Sequence, residues 1–208
     1  MIDTAFLITS FVTLFVIIDP IGLTPIFLAL TQGATPAERR SIAIRAAFTA
    51  MFLLALFAGF GEAVLGFAGI SMAAFRVAGG VLLFLTALDM LFERRTKRRE
   101  NQGEEATEVE DPSIFPMSIP LIAGPGSIAT VILLSGQKPG LEGFAMVMGV
   151  VFAVLLVMLA MFLASGLFER ALGKTGINVV TRLLGMLLAA LSVQFVLDGL
   201  RDFGFAGA

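Results

Sequence analysis

Long apolar runs separated by short polar stretches make up most of the chain. From Thr4 to Ala37 the only charged residue is Asp19, and further apolar runs follow at about 42–61, 70–92, 113–136, 143–168 and 177–200. A helix needs roughly 20 apolar residues to cross the hydrocarbon core, so the pattern predicts an all-α, polytopic membrane protein with six transmembrane helices. The third run is the least uniform, because Arg76 and Asp89 flank its apolar centre. The first is too long for one upright span, since a straight helix of that length would be roughly 50 Å at 1.5 Å per residue. Its middle reads VIIDPIGLTPIFL, residues 16–28, with a carboxylate, two prolines and a glycine that are each costly inside a membrane helix. The first span should therefore be broken there.

Composition strengthens the membrane reading. The chain has 208 residues, 58% hydrophobic and 14% charged, and a mean hydropathy of +0.97, where a soluble domain carries about 25% charged residues. It has no Cys, His, Trp or Tyr. Disulfides, thiol catalysis and histidine acid–base or metal chemistry are thereby excluded, and no cofactor or metal is expected. The first residues, MIDTAF, lack the basic stretch of a signal peptide. Lys and Arg divide unevenly between the two faces. Arg39, Arg40, Arg45, Arg94, Arg95, Lys97, Arg98, Arg99, Arg170, Lys174 and Arg182 fall on one side, against Arg76, Lys138 and Arg201 on the other. The positive-inside rule then puts both termini outside and the connection 93–112 in the cytoplasm. That connection, ERRTKRRENQGEEATEVEDP, is basic then acidic and reads as a flexible linker.

The halves resemble each other, giving a first three-helix repeat over 1–92, the linker 93–112 and a second repeat over 113–208. Pro20 matches Pro125 at an offset of 105; Arg76 matches Arg182, Gly79 matches Gly185 and Thr86 matches Ser192 at 106; Glu62 matches Glu169 at 107. An odd number of spans per repeat inverts the second copy, as in many secondary transporters. The counterpart of DPIGLTP is AGPGSIAT, residues 123–130, so the fourth span should break as well. Each break starts a half-helix with free N–H groups and a positive dipole end at mid-depth. The candidate site therefore comprises Asp19, Pro20, Ile21 and Gly22 with Gly124, Pro125, Gly126 and Ser127. Backbone N–H groups around Ile21–Leu23 and Gly126–Ile128 would receive a substrate carboxylate. Asp19 has two compatible roles, capping the N–H of Ile21 or Gly22 or binding an amino group, proton or cation. Thr86 and Ser192, with Gln194, either line the cavity or bond within the helix bundle. Gly79, Gly80 and Gly185 suit close helix approach, while Asp89 and Asp198 lie toward water. Glu62 with Arg76, and Glu169 with Arg182, are expected as structural salt bridges across equivalent connections.

The segments DPIGLTPIFL, FRVAGGVLLF, PLIAGPGSIATVILL and TRLLGMLLAALSVQFVLDGL together resemble the MarC family of bacterial inner-membrane proteins, also called the neutral amino acid transporter family. The resemblance implies six spans and transport of small neutral amino acids. Enzymatic readings find no support in the residues. A Ser–His dyad has no His, GPGSI around Ser127 is not G-x-S-x-G, and no phosphate-binding glycine loop points to ATP. The expectation is a secondary transporter in the inner membrane, not an enzyme. Its partners would be a small-molecule substrate, a proton or sodium and the lipid bilayer, with no nucleic acid. The alternatives are an uncoupled channel or a non-transporting scaffold.

Overall fold

A computed structural model of the chain describes residues 3–95, 98–99 and 111–205, apart from the side chains of 168–170 and 174. Its elements are α1 (Thr4–Ile18), α2 (Pro20–Leu30), α3 (Pro36–Phe67), α4 (Met72–Leu91), α5 (Ser113–Ile122), α6 (Pro125–Gln137), α7 (Leu141–Leu163) and α8 (Ser165–Asp202). Among the described residues there is no strand.

Local chemistry explains where these helices begin. The Asp3 side chain accepts from Phe6 N–H at 3.0 Å to open α1, and Ser71 accepts from Ala74 N–H to open α4. A reciprocal capping box between Thr35 and Glu38 precedes Pro36. Proline stands at the first position of α2, α3 and α6, where its missing N–H costs no helical bond. The short α5 is irregular: Pro116 and Pro120 lie inside it, Phe115 and Ile119 are extended, and its bonds span five residues, as from Ala123 N–H to Ser118 O at 2.8 Å. Gly173, at φ 61°, breaks α8.

Five stretches are long and apolar enough to cross a membrane: Thr4–Leu30, Pro36–Phe67, Met72–Leu91, Leu141–Leu163 and Thr175–Asp202. The bent pair α5–α6, with 58° between its halves, makes the sixth. The fold is thus the expected all-α, polytopic one, with breaks after Ile18 and Ile122. The fifth span is shorter than the apolar run 143–168, since α7 ends at Leu163 and Glu169 falls in the next helix.

Side-chain size is sorted across α3 as lipid requires. Its inner face is mostly small, with Ala43, Ala46, Ala50 and Ala58 buried beside Leu54, while Phe48, Phe52 and Phe60 are exposed. No aqueous surface would tolerate such an apolar ridge; hydrocarbon does.

Helices α4 and α8 pack antiparallel along a seam of small residues. A Cβ added at Gly80 would lie 2.8 Å from Ser192 O, one at Gly185 3.3 Å from Ala87 O, and one at Gly199 3.0 Å from Ala73 O. The contact positions recur every seventh residue on each helix, the spacing of one helix face over two turns. Gly79 instead meets α6, where its Cβ would lie 2.7 Å from Leu133 Cδ1. Close backbone approach through small residues is how helices associate where water provides no driving force.

The ion pairs differ from expectation. Arg76 pairs with Asp202 rather than Glu62, and Arg182 pairs with Glu93 at 2.7 Å. Glu62 is exposed and joins no ion pair among the described residues; the side chain of Glu169 lies outside them. The reason is the antiparallel seam, which brings the first turns of one helix against residues at the far end of the other. Lys138 reaches Asp3 at 2.7 Å, and Asp3 shares a cavity with Asp198. Residues 3 and 198 thus share one face, called here the terminal face; the segment after α4 defines the opposite, basic face.

Candidate functional site

The first break is built by Asp19. Its backbone is left-handed, φ 57° and ψ 64°, and its N–H still reaches Phe15 O at 2.9 Å. Its Oδ1 accepts from Gly22 N–H at 3.0 Å and its carbonyl from Leu23 N–H at 3.0 Å. Only glycine fits three residues on, because a Cβ at Gly22 would fall 2.2 Å from Asp19 Oδ2. The start of α2 is therefore closed by its own residues. Two of the three N–H groups expected to receive a substrate carboxylate, those of Gly22 and Leu23, are thus taken by Asp19.

The end of α1 is closed from elsewhere. Arg99 donates from Nη1 to Asp19 Oδ2 at 2.9 Å and from Nη2 to Ile18 O at 3.1 Å. Arg95 donates to Ile17 O and to Met90 Sδ, and Arg98 pairs with Asp89 at 2.7 Å. Asp19 is 1% and Arg99 5% exposed. The last carbonyls of a helix lack intrahelical donors and carry the negative end of its dipole; two guanidinium groups satisfy both needs. The start of the stretch read as a flexible linker is thus part of the site. Residues 100–110 of that stretch lie outside the described residues.

The second break is open. Gly124 is the N-cap of α6 and supplies no side-chain cap, and Pro125 follows it. Ser127 Oγ donates to Ile122 O at 2.8 Å, so its hydroxyl closes the end of α5. A Cβ at Gly126 would lie 3.4 Å from Ile17 Cγ2, which sets the start of α6 against α1 two residues before Asp19. The two breaks meet.

Where they meet lies a cavity of about 180 Å³, room for a few waters or one small solute. Arg95, Arg98, Arg99 and Asp89 line it, with Thr86 from α4 and Gly124, Pro125, Gly126 and Ser127 from the second break. Thr86 donates to Leu82 O at 2.9 Å. Asp19 stands behind Arg99; Pro20 and Gly22 are buried and Ile21 half-buried, none of them lining the cavity. Ser192 lies in the α4–α8 seam, its hydroxyl bonded to Ala189 O at 2.7 Å. Among the described residues no group of three acidic side chains converges to hold a metal ion. Among the described residues, three arginines face Asp19 and Asp89, leaving one positive charge in excess beside the uncapped, partly positive start of α6. A single anionic group neutralises that arrangement.

Comparison with known proteins agrees with this architecture. The chain matches the family model described as MarC family integral membrane protein over residues 4–203. It is 40% identical over 200 residues to the UPF0056 membrane protein YvbG of Bacillus subtilis, covering 95% of each chain. It is 36% identical to the UPF0056 inner membrane protein YhgN of Escherichia coli K12, covering 94% of this chain and 96% of that one. It is 33% identical to the UPF0056 membrane protein MJ1677 of Methanocaldococcus jannaschii, covering 96% and 98%. No solved structure matches. With that coverage, and with apolar helices long enough to cross a bilayer, the chain belongs to the MarC family of integral membrane proteins.

Proposed function

We propose that the protein is a secondary transporter of small neutral amino acids or similar zwitterionic solutes, driven by a proton or cation gradient. The observation that carries the reading is the cavity between the two breaks, with its single excess positive charge and the uncapped start of α6. The substrate carboxylate binds the first-turn N–H groups of α6 and Arg98. The ammonium group binds where Arg99 now sits, against Asp19 and the Ile17 and Ile18 carbonyls, so loading displaces that guanidinium. Asp19 then exchanges one cation for another, which is the step a coupling ion needs.

Two further features support an inverted repeat. The contacts Gly80–Ser192 and Ala87–Gly185 exchange under a shift of 105 residues, close to the shift relating the two halves. The pairs Arg76–Asp202 and Arg182–Glu93 occupy corresponding ends of the same seam. Rocking one bundle against the other would alternate access. The inner-membrane label of the Escherichia coli relative and the basic face support an inner-membrane location with both termini periplasmic.

Uptake of glycine, L-alanine and L-serine into proteoliposomes under imposed pH or sodium gradients tests the reading. Gradient-driven accumulation is expected, and Asp19→Asn should abolish it while the folded protein stays in the membrane. Uptake indifferent to either gradient would favour an uncoupled channel. No uptake, with no thermal stabilisation by any of these solutes, would favour a scaffold.

A further inference from the structure

A second cavity, of about 290 Å³, opens at the terminal face between α1, α6 and α8. It sits at the other end of the same helix faces as the first. On α1, Phe6, Ser10, Thr13 and Ile17 fall on one face, and on α6, Ser127, Thr130, Leu134 and Gln137 do. Ile17 and Ser127 line the first cavity; Phe6, Ser10, Leu134 and Gln137 line the second. Between them lie Thr13 and Thr130, fully buried, with hydroxyls bonded to their own helices at 2.7 and 2.8 Å.

The charge of this second cavity is opposite. Asp3 is neutralised by Lys138, whose ammonium also lies 5.3 Å from the Phe6 ring centroid. Arg76 is held by Asp202. Asp198 receives a hydrogen bond from Gln194 at 2.9 Å and has no cationic partner among the described residues. One negative charge is left over. A separate observation points to a ligand: Ser10 lines the cavity and is 0% exposed, yet its hydroxyl has no hydrogen-bond partner. Buried hydroxyls are seldom left so. The remaining wall near Asp198 is apolar, with Leu191 and Phe195.

We propose that this cavity is a second binding site, for a primary ammonium group on a small apolar body, with Asp198 as counter-charge and Ser10 Oγ as acceptor. Leu191 and Phe195 in the wall beside Asp198 suit the short hydrocarbon chain of such a cation. Its place in a transport route rests on the proposed function; its ligand chemistry does not. On that reading a zwitterion is met first by its ammonium at the terminal face and held by its carboxylate at the other cavity.

The natural absence of cysteine gives a direct test. Ala5, which lines the cavity, is replaced by Cys in the full chain, and its labelling by a water-soluble maleimide is followed in nanodiscs. Ethylammonium and L-alanine should slow labelling, and propionate and sodium at equal concentration should not. Asp198→Asn should remove the protection without changing the unprotected rate. Ser10→Ala should weaken protection about tenfold without lowering thermal stability, because the hydroxyl it removes bonds nothing. Protection by propionate or sodium equal to that by ethylammonium overturns the assignment, as does full protection in both variants. Protection without any amino acid uptake would overturn the transport reading alone, whereas uptake without protection would overturn this site alone.

Discussion

The buried pair between Asp19 and Arg99 makes a quantitative demand. Arg99→Gln would leave the Asp19 carboxylate with the Gly22 N–H as its remaining partner among the described residues and would strand the Ile18 carbonyl. Breaking a buried ion pair by removing one partner costs about 3–5 kcal/mol, and a buried carbonyl without a donor costs about 1–3 kcal/mol. The two overlap, because both describe the same exposed end of α1, so about 3–5 kcal/mol is expected in total. Asp19→Asn still accepts from Gly22 but leaves the guanidinium uncompensated, so its cost is of the same order. The double variant buries no charge at this point and should recover about 2–3 kcal/mol relative to the sum of the singles. Denaturant unfolding of purified protein in mixed micelles, carried through the four-membered cycle, measures that coupling. Arg99→Lys should fall between, since an ammonium cannot span Asp19 and Ile18 as a planar guanidinium does. Single-variant effects that add to within about 0.5 kcal/mol would show that the two side chains do not interact, and the closure of α1 by the basic segment would have to be abandoned.

Other contacts give sharper but smaller tests. Gly80→Ala places a Cβ 2.7 Å from Val196 Cγ2 and 2.8 Å from Ser192 O, so the α4–α8 seam must open at a cost of about 1–3 kcal/mol. Gly149→Ala, where a Cβ meets nothing within 4 Å, should be neutral or stabilising in the same unfolding assay. Charge reversal at Arg76 should be rescued by Asp202→Arg and not by Glu62→Arg, in an amount of about 0.2–1 kcal/mol because Asp202 is half-exposed. The Lys138 ammonium, with the Phe6 N–H, holds the Asp3 carboxyl below its ordinary value of 3.8. The link it makes is complete above that value and is lost as pH falls through the lowered one. The difference in thermal midpoint between the native chain and Asp3→Asn should therefore persist at neutral pH and vanish in strong acid.

Much of this was legible in the residues because the decisive signals are local. Asp-Pro inside an apolar run announces the first break, Gly-Pro the second, and Gly80 and Gly185 the close seam. The recurrence of Arg76 as Arg182 was legible too, but their partners were not. Sequence comparison offered acids across the adjacent connection, whereas the antiparallel packing of α4 and α8 decides which helix ends meet. The basic segment was missed for another reason. Residues 93–99 have the composition of a solvated linker, and nothing in their spacing says that Arg95 and Arg99 turn back into the core. A buried Asp19 requires a counter-charge, but arginines follow both the first span (Arg39, Arg40 and Arg45) and the third on the same side, and only packing selects between them.

The two breaks differ at one position that matters for ligand choice. Asp19 and Gly124 stand immediately before equivalent prolines, and the residue there decides whether the following half-helix is closed. The Asp19 side chain closes α2 and retains a charge that holds Arg99; Gly124 leaves α6 open. Two aspartates would close both half-helices and cancel the excess positive charge of the cavity, removing the feature proposed to attract a carboxylate. Two glycines would leave no acid at either break to hold a guanidinium or an ammonium in its place. On the proposed inverted repeat, halves related by a pseudo-twofold need such a difference to orient a zwitterion, whose two ends carry opposite charge. The Asp-Pro and Gly-Pro pair supplies it with a single side chain.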